Sequence, residues 1–95
     1  MKAYEILYII RPDLEEEATT ALIDRLSELV TGNGGDNVTV DKWGKRRLAY
    51  EIQDYREGQY VLMNFKGEAH TSRELERVMK ISDDVIRFLT VRKDN

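Results

Sequence analysis

The sequence predicts an α+β sandwich in which one four-stranded antiparallel sheet carries two helices on a single face. Three observations carry that reading. Segments rich in aromatic and β-branched residues, at 3–10, 38–52, 59–66 and 85–92, read as strands. Two other segments repeat apolar residues at helical spacing. The resulting order is β-α-β-β-α-β, that of the split βαβ, or ferredoxin-like, arrangement. At 95 residues the chain fits one domain, since domains run ~50–250 residues, and 1–95 is read as a single unit.

The first strand stops at Arg11-Pro12, where proline removes a ladder donor. Asp13 followed by Glu16 has capping-box spacing and predicts a helix start, and Glu15, Glu16 and Glu17 suit the positive end of its dipole. Ala18, Leu22, Leu26, Leu29 and Val30 form the apolar stripe, Gly32 ends the helix, and Asn33-Gly34-Gly35 is a loop. From Val38 to Ile52 the chain is extended. Val38, Val40, Leu48, Tyr50 and Ile52 share one parity, while Trp43-Gly44 marks a bulge or a close backbone approach. Residues 53–58 read as a turn that makes a hairpin with the third strand. Thr71 with Glu74 predicts a second capped helix carrying Leu75, Val78 and Met79 inward and ending near Ser82-Asp83-Asp84. The fourth strand then runs to Arg92, and Lys93-Asp94-Asn95 reads as a tail.

Alternation assigns the faces. Tyr4, Ile6, Tyr8 and Ile10 form the cleaner apolar set of the first strand, as do Val61, Met63 and Phe65 in the third and Ile86 and Phe88 in the fourth. These are predicted to meet the helices. Leu7, Ile9, Tyr60, Leu62, Leu89 and Val91 are left on the other face, rimmed by Arg11, Lys66, Arg87 and Arg92. A contiguous apolar patch that no helix covers points to a protein partner.

Composition excludes several function classes. With no cysteine, disulfide scaffolds, thiol catalysis and cysteine-based metal sites are ruled out. His70 is the only histidine and predicts neither a metal centre nor a cofactor site. No nucleophile-elbow pattern surrounds Ser27, Ser72 or Ser82, and Gly32-Asn33-Gly34-Gly35 follows a helix instead of opening one, so it is no phosphate loop. A catalytic centre is not expected. No apolar run approaches a membrane span and the N-terminus lacks a secretory pattern, which predicts a soluble protein of the cytoplasm.

The net charge of −3 hides an asymmetry. Residues 1–41 carry 3 basic against 9 acidic side chains, net −6, and residues 42–95 carry 12 against 9, net +3. Lys42, Lys45, Arg46 and Arg47 crowd around Trp43; Arg73, Arg77 and Lys80 run along the second helix; Arg87, Arg92 and Lys93 close the fourth strand. Arginine beside aromatics suits phosphate contact and stacking. The βαββαβ order invites comparison with the RNA-recognition motif, but Gln59-Tyr60-Val61-Leu62-Met63 shares little with its stacking strand beyond the preceding Gly58. The open face is aliphatic and suits a protein better than bases.

The run Trp43-Gly44-Lys45-Arg46-Arg47-Leu48-Ala49-Tyr50-Glu51-Ile52 resembles the most distinctive segment of the bacterial small-subunit ribosomal protein six family. Tyr4-Glu5, Tyr8-Ile9-Ile10-Arg11-Pro12, Gly58-Gln59-Tyr60 and Lys80-Ile81-Ser82-Asp83-Asp84-Val85-Ile86-Arg87 fall in the family's order, so the resemblance spans nearly the whole chain. It implies the ferredoxin-like fold, a place on the small-subunit platform, binding to the central domain of 16S ribosomal RNA, and pairing with ribosomal protein eighteen. The expected protein contact comprises Leu7, Ile9, Trp43, Arg46, Arg47, Leu48, Tyr50, Tyr60, Leu62 and Leu89. The expected RNA contact comprises Lys2, Arg87, Arg92 and Lys93, with Lys80 beside them. Two other uses of the fold are a ligand-sensing domain that dimerises through its sheet and an acylphosphatase-like enzyme. The latter needs an anion loop after the first strand, where this chain has Arg11-Pro12-Asp13.

Overall fold

The computed structural model describes residues 1–93, arranged as β1 (Lys2–Ile10), α1 (Glu16–Gly32), β2 (Asp36–Ile52), β3 (Tyr55–Gly67), α2 (Ala69–Ile81) and β4 (Val85–Lys93). The sheet order is β2-β3-β1-β4 with every neighbouring pair antiparallel, which is the predicted split βαβ topology. Lys93 belongs to β4 instead of the expected tail; Asp94 and Asn95 lie outside the described residues.

The helix-side core is the one that alternation predicts. Tyr4, Ile6, Tyr8 and Ile10 of β1 lie opposite Phe65, Met63, Val61 and Gln59 of β3. The apolar members pack against Leu22, Ile23, Leu26 and Val30 of α1 and Leu75 and Met79 of α2. Full burial of each such side chain contributes about 1.5–3 kcal/mol. Ala18, expected in the stripe, is exposed; Thr19 is buried in its place, its hydroxyl donating to the Glu15 carbonyl at 3.0 Å.

Both predicted capping boxes are absent, because the capping side chains have other partners. The α1 N-cap is Glu15, with no side-chain cap bond, and Asp13 sits in the preceding turn 3.8 Å from Arg11. The α2 N-cap is Glu68. Thr71 is buried within the first turn, and its hydroxyl donates at 2.7 Å to the carbonyl of Asn33, the C-cap of α1. Thr71 therefore ties the two helices together, while Glu74 pairs with Arg77.

The long β2–β3 hairpin departs most from expectation. Its turn is only Gln53-Asp54, both at positive φ (50° and 68°), instead of six residues. That geometry is the one whose twist suits a two-residue hairpin. Gly44 has φ +81° and sits at a register shift between Lys42 and Gly44, confirming the bulge. The extra residue switches the faces: Val38 packs against the helix-side core, whereas Leu48 and Ile52 join Ile9 and Ile86 on the opposite side. A second irregularity beside Ile10 does the same in β4. Phe88 stays on the helix side as predicted, but Ile86 turns away to pack with Ile9 and Leu48.

Candidate interface for protein and RNA partners

The sheet face away from the helices is divided in two by the hairpin. Near its tip, β2 and β3 fold over the sheet, and Leu48, Ile9 and Ile86 bury one another with Ile52, Tyr55 and Tyr60 around them. The tip is fastened to β4 by long-range hydrogen bonds. Gln53 Nε2 donates to the Ile86 carbonyl at 3.4 Å, and Arg87 donates to the Tyr50 hydroxyl with its guanidinium 5.7 Å from the Tyr50 ring centroid. The hydrogen bond to Tyr50 is the main cause that pushes the Arg87 pKa up, so its charge is fixed.

Beside this second cluster lies a cleft of about 220 Å³ lined by Leu7, Ile9, Leu48, Tyr50, Tyr60 and Leu89, among others. Its lining includes Leu7 and Leu89, which lie opposite each other on β1 and β4, and Leu62 of β3 continues their cross-strand row outside the cleft. Leu89 is 62% exposed, an unusual state for a large apolar residue in the middle of a strand. One wall continues into an aromatic stack. Trp43 lies parallel to Tyr60, ring centroids 6.3 Å apart, and Arg46 covers Trp43 at 5.0 Å. The indole Nε1 donates to Asp41 Oδ2 at 3.2 Å, fixing the ring's orientation.

Most of the expected protein-contact residues therefore share one surface, with two corrections. Ile9 and Leu48 are buried against each other, at 6% and 8% exposure, so they shape the cleft's wall and offer little area of their own. Arg47 lies opposite Glu57, one position from the Arg46 that covers Trp43, and alternation turns it to the other side of the hairpin. The burial of Ile9 and Leu48 was hidden in the sequence because it depends on the bulge at Gly44, which exchanges the faces of β2.

The expected RNA-contact residues separate into two groups. Lys2 lies opposite Gly67 and Arg92 opposite Tyr4, which places both on the helix side of the sheet. Arg92 therefore does not rim the open face as expected. Lys93 is on the open face, 3.1 Å from Glu5 and donating to Asn64 at 3.3 Å. Lys80 and Arg87 lie at the other end of β4, where they line a common groove of about 290 Å³ with Gln53, Met79 and Phe88. Five strand residues at ~3.3 Å each separate Arg87 from Arg92 by about 17 Å, so the two groups of cations lie well apart along one edge.

The acylphosphatase-like use finds no support at the end of β1. Arg11 faces two carboxylates, Asp84 at 2.9 Å and Asp13 at 3.8 Å. A hydrogen bond to Tyr55 is the first cause raising its pKa, with these carboxylates contributing. A guanidinium so engaged is a structural clamp, and the Arg11 backbone N–H also donates to the Asp84 backbone carbonyl at 2.9 Å. The hydroxyl of Ser27 donates to the Ile23 carbonyl, that of Ser82 accepts from the Asp84 N–H, and Ser72 is buried. His70 is exposed on the first turn of α2. Among the described residues no group of three or more acidic, His or Cys side chains is placed to hold a metal ion, and no helix is long and apolar enough to cross a membrane.

Comparison with known proteins agrees with this architecture. The small ribosomal subunit protein bS6 of Desulfitobacterium hafniense is 67% identical over 95 residues, covering all of both chains. That of Moorella thermoacetica is 56% identical over 92 residues, covering 97% of this chain and 94% of its own. Among solved structures, the 30S ribosomal protein S6 of Thermotoga maritima superposes with a TM-score of 0.91 at 30% identity, over 97% of this chain and 87% of that one. An Arabidopsis thaliana protein at 12% identity shares the fold, with a TM-score of 0.63. Residues 3–92 match the family described as Ribosomal protein S6, and the chain belongs to that family.

Proposed function

We propose that this chain is a structural constituent of the small ribosomal subunit that acts by binding, pairing with ribosomal protein eighteen and joining it on the central domain of 16S ribosomal RNA in the cytoplasm. Its membership of the ribosomal protein S6 family makes it a small-subunit ribosomal protein. The observation that carries the finer reading is the apolar cleft on the open sheet face, bounded by the Arg46–Trp43–Tyr60 stack and the Tyr50–Arg87 pair. Neither helix covers it, and its aromatic and arginine walls are the residue types that anchor protein interfaces. A protein partner seated there leaves the basic β4 edge for RNA. At a net charge of −3 the chain alone is a poor ligand for a polyanion, so its partner supplies part of the affinity.

The test is reconstitution from purified full-length chains and a 16S central-domain fragment. The expected result is a one-to-one heterodimer that binds the fragment more tightly than this chain alone, with binding lost on ribonuclease treatment. A stable homodimer that ignores ribosomal protein eighteen, or a small-molecule turnover that depends on His70, would overturn the proposal.

A further inference from the structure

The two helices present opposite charge to solvent. On α1, Glu16, Glu17, Asp24 and Glu28 are exposed with Arg25 as the sole cation. On α2 the outermost stripe is His70, Arg73, Arg77 and Lys80, all exposed, at spacings of three and four residues that keep them on one face. The acids of α2, Glu74 and Glu76, flank this stripe and are half-buried. Glu74 is held by Arg77 through two hydrogen bonds, which removes Arg77 as an available charge and leaves Arg73 and Lys80. At a rise of ~1.5 Å per residue these two lie about 10 Å apart along the helix. Lys80 and Arg87 both line the groove between α2 and β4, whose lining holds no acidic residue, although the Arg87 guanidinium itself rests on Tyr50. The nearest exposed acid in sequence is Asp83; Asp84 is engaged by Arg11.

We propose that Arg73 and Lys80 of α2, with Arg87 of β4, form a track for the phosphate backbone of RNA along the outside of α2, a contact separate from that of Lys2, Arg92 and Lys93. The inference rests on the RNA-binding reading above and extends it to a helix face. Charge complementarity selects the occupant. The cations are spread in a line across an open groove and are not gathered around a pocket, which suits a polyanionic strand, and the acidic α1 on the other side sets the molecule's orientation.

Salt titration of RNA affinity tests it, using the full-length chain in complex with ribosomal protein eighteen and a 16S central-domain fragment. Replacing Arg73 and Lys80 together (Arg73→Gln with Lys80→Gln) should reduce the slope of log affinity against log salt by roughly 1.4–1.8, since each lost phosphate contact removes ~0.7–0.9. Arg25→Gln on α1 should leave the slope unchanged. In the wild-type complex, Lys80 should be protected from acetylation when RNA is bound. An unaltered slope in the double variant, an equal loss in Arg25→Gln, or an unprotected Lys80 would each overturn the track. So would lost affinity for ribosomal protein eighteen with the RNA slope intact, which would assign the face to a protein. Failure of the wild-type complex to bind RNA would overturn the functional reading itself, and is read out before any variant is compared.

Discussion

Arg87 of β4 lies over the ring of Tyr50 of β2 and donates a hydrogen bond to its hydroxyl, joining two edge strands that are not neighbours in the sheet. With Gln53 on the Ile86 carbonyl, this holds the hairpin tip across the open face and gives the cleft its second wall. The cleft is thus shaped before any partner arrives, which reduces the ordering cost of binding.

If this latch preorganises the interface, Tyr50→Ala should weaken binding to ribosomal protein eighteen by roughly tenfold or more. Tyr50→Phe keeps the ring under Arg87 and should lose less. Both residues are exposed, so thermal stability should hardly move. Calorimetric titration of the two variants checks the order, and equal affinity of Tyr50→Ala and wild type would remove the latch from the interface.

Tyr8 makes a prediction about pH. Its side chain is wholly buried, and among the described residues its hydroxyl has no hydrogen-bond partner. Burial, aided by the nearby Asp24 carboxylate, pushes its pKa well above the ordinary value of about 10. The neutral phenol is therefore favoured in the folded state. Its contribution is fully present below about pH 10 and is lost as pH rises above that value, because the unfolded chain releases the proton first. Tyr8→Phe should raise stability at neutral pH by about 1 kcal/mol by removing an unpaired buried hydroxyl, and should flatten the alkaline fall. Urea unfolding at neutral pH and above pH 10 measures both.

Two glycines should resist substitution for different reasons. At Gly44, φ is +81° and a Cβ would meet nothing within 4 Å, so Gly44→Ala carries only the left-handed backbone penalty of about 1–2 kcal/mol. At Gly58 a Cβ would stand 2.3 Å from Ile9 Cγ2 and 3.4 Å from the Ile10 carbonyl oxygen. Gly58→Ala should therefore destabilise by about 1–3 kcal/mol and also perturb the Ile9–Leu48–Ile86 cluster. Denaturation of both variants, with partner affinity measured alongside, separates them: Gly58→Ala should lower both stability and affinity.

Element order and the faces of β1 and β3 were legible because their alternation is unbroken from end to end. The face of β2 was not, since the bulge at Gly44 gives Val38 and Leu48 the same parity and opposite sides. Ile86 was missed for the same reason at the irregularity beside Ile10. The hairpin turn escaped because Gln53 and Asp54 adopt positive φ without a glycine to signal it. Capping motifs misled where tertiary partners competed: Thr71 serves Asn33 and Asp13 lies beside Arg11. The Trp43–Tyr60 surface could be read from its residues and motif, whereas the splitting of the cations between the two ends of β4 required the register.

Trp43 is the chain's single tryptophan and stands at the edge of the proposed protein interface, so its indole resonance reports on that surface without ambiguity. Titrating isotope-labelled full-length chain with ribosomal protein eighteen and following the amide and indole signals tests the central claim most directly. The largest shifts should fall on Trp43, Tyr60, Leu62, Leu7 and Leu89, with α1 and the outer face of α2 unmoved. Shifts concentrated on α1 and α2, with the Trp43 indole unchanged at saturation, would contradict it.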